Sequence, residues 1–292
     1  MQQAVIKNYY TLTKPGIIYG NAITALGGFF LASGGNIDMI LLVAIILGLS
    51  LLIASSCVLN NYIDRDIDGH MERTKGRALV QGTIPAKYAI IFAASLGLLG
   101  ISILYTYTNT LTLLIGLIGV FFYVVVYSLW TKRQTVYGTL VGSISGAVPP
   151  VVGYVAVTGS LDPGAVILFL ILCMWQMPHF YAITIYRYED YVAAGVPVLP
   201  IVRGIRETKV HISLYIVGLM LSLYALYAYE YTGNAYLVIM GPLSSVWLIM
   251  SLFGFKYSNA IDDATNKIWA KKVFLFSLVI IMLFSLTISL GL

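Results

Sequence analysis

Long apolar runs alternate with short polar connections along the chain. Runs near 17–34, 39–62, 88–107, 111–130, 137–157, 164–186, 210–229, 235–255 and 272–290 are each long enough, as helices, to cross about 30 Å of hydrocarbon. They predict nine transmembrane helices and an all-α polytopic membrane protein. The connections are unequal. Those after the second and sixth runs, 64–87 and 187–209, are long and charged, whereas those between the first and second and the third and fourth runs hold few residues. Thr13-Lys14-Pro15-Gly16 breaks the chain before the first run. That run has no small-residue cleavage site beyond it and is expected to be a retained span, not a signal peptide. Gly146 and Pro149-Pro150 interrupt the fifth run and predict a kink that opens room inside the bundle. Ala54, Ser55 and Ser56, small residues late in the second run, allow close approach of a neighbouring helix.

Composition agrees with this pattern. The chain is 59% hydrophobic and 10% charged, with a mean hydropathy of +0.89; an ordinary soluble domain is about 25% charged. All 17 Lys and Arg residues fall before the first run or in the connections on that same side. By the bias of basic residues toward the cytoplasm, that side and the N-terminus are expected to be cytoplasmic, in a cell membrane, and the C-terminus outside. The net charge of +5 is then a consequence of topology and implies no nucleic-acid partner. The opposite side carries only Asp38, Asp162 and Glu230. Asp68 and Asp190, and again the basic run ends at Lys132 and Lys256, stand at similar separations. Spans two to five and six to nine therefore look like two pseudo-repeated four-helix halves around a central cavity, with the first span extra and 1–292 a single domain. Cys57 and Cys173 lie inside spans without CxxC pairing and are expected to be reduced core residues.

The charge is concentrated in one place. Asn60 to Arg77 follows the second apolar run and holds Asp64, Asp66, Asp68 and Glu72 out of 12 acidic residues in all. If the helix continues, Asn60, Asp64 and Asp68 recur at i, i+4 and i+8 on one face, about 6 Å apart in rise. Two carboxylates so placed repel unless a cation stands between them. Hard oxygen ligands with open positions suit Mg²⁺, which completes its shell with substrate phosphate oxygens, and Arg73, Lys75 and Arg77 could hold the same phosphates. A solvated interhelical loop would also be rich in charge.

A second polar cluster ends the sixth run, with Trp175-Gln176-Met177-Pro178-His179, then Arg187, Glu189 and Asp190. His179 is an ionisable ring inside an apolar span, which by default marks a functional position; imidazole is also the usual protein ligand of haem iron. A histidine bonded to a neighbouring helix would read the same. His70 is expected to be solvated and His211 to be an interfacial anchor. Lys132 and Arg133 follow the aromatics Tyr127 and Trp130, a pattern of interface anchors that is compatible with anion binding. Asn21 near the start of the first run faces either the site or a neighbouring helix.

Taken together, these residues resemble the UbiA-type intramembrane prenyltransferases. The resemblance spans nearly the whole chain and rests on Asn60, Asp64 and Asp68 after the second of nine spans, with Arg73 and Arg77 following. Thr13-Lys14-Pro15-Gly16, Met71-Glu72-Arg73-Thr74, Tyr137-Gly138-Thr139, Trp175-Gln176-Met177-Pro178-His179 and Pro197-Val198-Leu199-Pro200 resemble the haem-farnesylating branch of that family. The resemblance implies Mg²⁺ on Asp64 and Asp68, with Arg73, Arg77 and Lys132 completing the catalytic set. It implies farnesyl diphosphate as donor, haem B as acceptor and haem O as product, the last handed to a terminal oxidase or a haem A synthase. Asn21, Asn60, Lys75, Arg133, His179, Arg187, Asp190 and His211 are the expected substrate-binding residues. The second cluster departs from the family's paired carboxylates, because Tyr186 stands where the partner of Asp190 would be. A quinone-type acceptor and a transporter with Asp64 and Asp190 as coupling groups are the competing functions. Carboxylates at one end and none at the midplane disfavour the transporter.

Overall fold

A computed structural model describes residues 2–260 and 264–288. Among them, nine helices are long and apolar enough to cross a membrane. A short helix, α1 (Gln2–Leu12), precedes them. The spans are α2 (Pro15–Ser33), α3 (Met39–Ile63), α4 (Ala86–Tyr107), α5 (Thr110–Gln134), a fifth span Gly138–Thr158, then α8 (Pro163–Tyr186), with Gly204–Ala228, Asn234–Lys256 and Ala264–Thr287 completing the set. The last expected run, 272–290, ends in residues outside those described.

The fifth span is broken as Gly146 and the proline pair predict, into α6 (Gly138–Gly146) and α7 (Val148–Thr158). Proline cannot donate to the preceding turn, so the chain bends at the fully buried Ala147. Beyond α8, a six-residue α9 (Tyr188–Ala193) and a single turn, α10 (Leu199–Val202), lead into α11 (Gly204–Ala228). The remaining two spans are α12 (Asn234–Lys256) and α13 (Ala264–Thr287).

At the end of the bundle away from the charged loops, short acidic or amide side chains close the turns. Asp38 accepts from the amides of Ile40 (2.9 Å) and Leu41 (3.0 Å) at the start of α3. Asn109 accepts from Thr112 before α5, and Asp162 from Ala165 before α8. Each satisfies backbone donors that a helix start leaves open.

Lateral packing follows two devices. α2 crosses α7 at backbone contact: a Cβ on Gly28 would overlap the Pro150 carbonyl, and one on Gly153 the Ala25 carbonyl. At the α3–α4 crossing, Ser55 Oγ donates to the Ala93 carbonyl at 2.8 Å, as the small residues there lead one to expect. α8 packs between α11 and α13, and Trp247 of α12, fully buried, donates to the Val273 carbonyl of α13 at 3.1 Å. Cys57 and Cys173 are buried free thiols.

One expectation is corrected. α3 stops at Ile63 and does not run on through Asp68; Asp64 caps it and Asp68 opens a separate single turn. The amide bonds Asp64 to Asn60 (2.9 Å) and Asp68 to Asp64 (2.8 Å) nevertheless keep the four-residue step, so the three side chains still share one side.

Candidate active site

A cavity of about 530 Å³ opens among α2, α3, α5, the broken fifth span, α8 and α13. Its wall at the charged end holds Asn60, Asp64, Asp68, Arg73, Arg77 and Lys132; Asn21 and His179 line it further along. Asp64 and Asp68 are almost wholly buried, at 1% and 3% exposure, a position that carboxylates occupy only when paired. Lys132 bonds Asp64 Oδ2 and Arg77 bonds Asp68 Oδ2. Asn60 Nδ2 donates to Asp64 Oδ2 at 2.8 Å and to Ser128 Oγ at 2.9 Å. Asp64 Oδ1 is buried and accepts no hydrogen bond; Arg133 Nη2 stands 3.5 Å from it.

The local fold of α5 explains how Lys132 arrives there. Between Phe122 and Thr131 the helix widens to π geometry, and the side-chain hydroxyls Ser128 Oγ and Thr131 Oγ1 donate to the carbonyls five residues back, Tyr123 (2.7 Å) and Val126 (2.9 Å). Such widened turns recur at functional sites. Here the widening turns Tyr123 and Tyr127, stacked at 5.8 Å, onto the cavity wall. Tyr127 was expected in an interfacial belt; Leu129 and Trp130, more than half exposed, remain on the outer surface.

Five expected residues stand outside the cavity lining. Lys75 pairs with Glu72 at 2.7 Å and is more than half exposed. Arg133 reaches behind the acidic loop to Asp66 at 2.7 Å, which holds the Asp66 carboxyl down at about 2. Arg187 lies over the Tyr186 ring at 4.7 Å. His211 sits against the rings of Tyr181 and Tyr215, 3.8 Å from Glu207. Asp190 accepts from the Glu72 amide at 3.1 Å.

Lys14 was not among the expected site residues. It occupies the left-handed region (φ 52°) at the break before α2 and bonds Asn60 Oδ1 from the cavity wall. Burial, reinforced by the charges of Arg77 and Lys132, pushes its ammonium down to about 8. The Thr-Lys-Pro-Gly string was the available signal, and the basic-side bias had already accounted for the lysine. Gln176 and Tyr191 also line the cavity. Gln176 Nε2 donates to the Ser143 carbonyl at 3.2 Å across the helix break.

His179 is held in one orientation. Its Nδ1 is 2.7 Å from Ser277 Oγ, whose own proton goes to the Phe274 carbonyl at 2.5 Å. That direction assigns the imidazole proton to Nδ1 and leaves Nε2 as the lone-pair nitrogen. Trp175, 4.9 Å away in ring centroids, anchors the same helix turn through its own bond to the Ser277 carbonyl at 2.8 Å.

The model of the UbiA prenyltransferase family matches residues 21–286. The chain belongs to the UbiA prenyltransferase family. Over 285 residues it is 51% identical to the protoheme IX farnesyltransferase of Yersinia pseudotuberculosis serotype O:1b, covering 98% of this chain and 95% of that one. It is 52% identical to that of Photorhabdus laumondii subsp. laumondii, with the same coverage. Among solved UbiA-fold structures, one described for digeranylgeranylglyceryl phosphate synthase superposes with a TM-score of 0.79 at 21% identity, covering 99% of both chains. A UbiA homologue from Archaeoglobus fulgidus bound to GPP and Mg²⁺ gives 0.68 at 16%, covering 97% of this chain and 100% of that one. The UbiA fold is thus shared where sequence identity is low.

Proposed function

We propose that this UbiA-family chain transfers the farnesyl group of farnesyl diphosphate to a vinyl group of protohaem IX, with addition of water, giving haem O and diphosphate. The observation that carries the proposal is one cavity with two chemically different ends: carboxylates and cations at the charged end, and His179, bonded to Ser277 through Nδ1, among Trp175 and Phe274 farther along. The 51% identity to protoheme IX farnesyltransferase over nearly the full chain supports the choice of acceptor.

The residues fit a divalent cation. Asp64 and Asp68 are hard-oxygen donors on one side, Asp64 Oδ1 is buried without a hydrogen-bond donor, and the A. fulgidus homologue was solved with Mg²⁺. Asp64 and Asp68 would hold Mg²⁺, which would supply positive charge beside the diphosphate. Arg73, Arg77, Lys132 and Lys14 stabilise the charge that grows on the diphosphate as its bond to the farnesyl C1 breaks. Asn60 orients both Lys14 and Asp64 by bonding each.

The vinyl carbon then bonds to C1, leaving positive charge on the carbon next to the macrocycle. Water adds there and loses a proton. The attacking alkene needs no strong base. Aromatic walls from Tyr123, Tyr127 and Trp175 keep water from the allylic cation before the acceptor captures it. His179, with Nδ1 bonded to Ser277, presents Nε2 to the haem. Lys75, Arg187 and His211 are assigned no direct contact, because none lines the cavity. The charged end is proposed to face the cytoplasm, where the basic residues lie.

The test separates donor from acceptor. Asp64→Asn should lose turnover by about a hundredfold or more, with Mg²⁺-dependent binding of farnesyl diphosphate lost and haem binding kept. His179→Ala should lose haem binding while farnesyl diphosphate still binds with Mg²⁺. Equal loss of both ligands in each variant would contradict the two-ended site.

A further inference from the structure

We propose that Asp190 is a positioning residue for Arg73, so that the two long loops form one clamp on the diphosphate, and that it is not a metal ligand. The proposal rests on the prenyl-transfer reading above. Asp190 is the carboxylate of the second polar cluster, where the sequence lacks a partner acid. It does not line the cavity; Arg73 and Tyr191 on either side of the contact do. Both Asp190 oxygens are engaged with the first loop: Oδ1 accepts from the Glu72 amide at 3.1 Å, and Oδ2 is 3.8 Å from Arg73 Nε.

The partners of Asp190 differ from those of the first acidic pair. Asp64 and Asp68 have cations as partners, which a metal ion can replace, and Asp64 keeps a buried oxygen without a hydrogen-bond donor. Asp190 is 12% exposed, stands outside the cavity lining and bonds the main chain of the opposite loop. Glu189, its neighbour, pairs at 2.5 Å with Lys267 on α13, and Tyr186 holds Arg187 over its ring. Among the described residues, the carboxylates that line the cavity are Asp64 and Asp68, both from the first loop.

Arg73 is correspondingly fixed on several sides. Its guanidinium lies over the Tyr191 ring at 5.4 Å, and Nη2 is 3.5 Å from the Tyr191 hydroxyl. Beneath it, Met71 of the first loop packs with Val196 and Val198 of the second, all buried. The guanidinium fork is thereby pre-aimed at the cavity, and pre-aiming reduces the ordering cost of binding an anion.

The test uses the full chain in detergent or lipid discs, with Mn²⁺ and a thiolo analogue of farnesyl diphosphate as probes. In Asp190→Ala the analogue's Kd should rise about tenfold, as expected when a charge-assisted contact is disordered. The number of Mn²⁺ ions bound at saturating analogue, and their affinity by electron paramagnetic resonance, should stay within about twofold. Arg73→Ala should raise Kd to a similar extent, and the double variant should add nothing. Amide exchange at Glu72 should quicken in Asp190→Ala and stay closer to the parent rate in Asp190→Asn, which keeps an acceptor oxygen. Loss of a bound Mn²⁺, additive double-variant effects, or unchanged exchange at Glu72 would each overturn the proposal. Failure of the parent protein to bind the analogue with Mn²⁺ would instead defeat the prenyl-transfer reading, while Glu72 exchange would still report on the loop contact.

Discussion

At the scale of single residues, Lys14 shows most directly how the site departs from ordinary surface chemistry. Its ammonium is pushed down to about 8 by burial and the neighbouring cations, so near neutral pH, before diphosphate binds, the site carries a charge that it holds poorly. Diphosphate binding raises that pKa. The binding contribution of Lys14 is therefore complete below about pH 8 and fades as pH rises toward the value in the complex, since binding must then take up a proton. Farnesyl diphosphate affinity is expected to fall above about pH 8 in the parent protein. In Lys14→Arg the fall should be absent, because guanidinium stays charged. A pH titration of the binding constant checks this, and an equally steep fall in both proteins would exclude Lys14 as its source. The acidic part of this site was legible because Asp64 and Asp68 are rare charges placed at a helical step. Lys14 was not, because a lysine flanking a span is accounted for equally well by topology. Tyr123 and Tyr127 escaped for a different reason: their inward direction comes from the widened turn in α5, and period alone does not reveal π geometry.

Among the elements, span number was readable from hydropathy and span extent was not. α11 begins at Gly204 and α13 at Ala264, ahead of the apolar limits at 210 and 272. Hydropathy measures passage through hydrocarbon, whereas helix length also includes polar turns such as the one closed by Arg203 and Glu207 at 2.8 Å. α1 had no signal of span length and depends on tertiary support: Leu12 is buried, and Tyr9 meets Phe92 edge-on at 5.1 Å. The break in the fifth span was legible from Gly146 and the prolines; its use, seating α7 against α2 at backbone contact, needed the structure. A bulky residue at that crossing must push the two helices apart. Gly28→Val is expected to cost about 1–3 kcal/mol of stability, seen as a lower Tm in detergent. Gly241→Ala on α12, where a Cβ meets nothing within 4 Å, should keep or raise Tm, because alanine is the better helix former. Equal tolerance of both changes would mean that the α2–α7 contact is not tight.

For the whole molecule, the bias of basic residues predicts an orientation, and the fold gives it a purpose, since the cations and carboxylates of the cavity share one end. Exposed positions at the two ends allow a direct check. His70→Cys should react with a membrane-impermeant thiol reagent only from the cytoplasmic face, and Ser160→Cys only from the other; labelling of both from one face would contradict the nine-span topology. What the molecule makes is tested most directly by the product. Purified protein given Mg²⁺, farnesyl diphosphate and haem B should yield a haem whose mass has grown by a farnesyl group and the elements of water, and the same haem should accumulate in membranes that contain the protein. Haem B recovered unchanged, while farnesyl diphosphate is consumed by an aromatic or quinone-precursor acceptor, would contradict the assignment of haem as the acceptor.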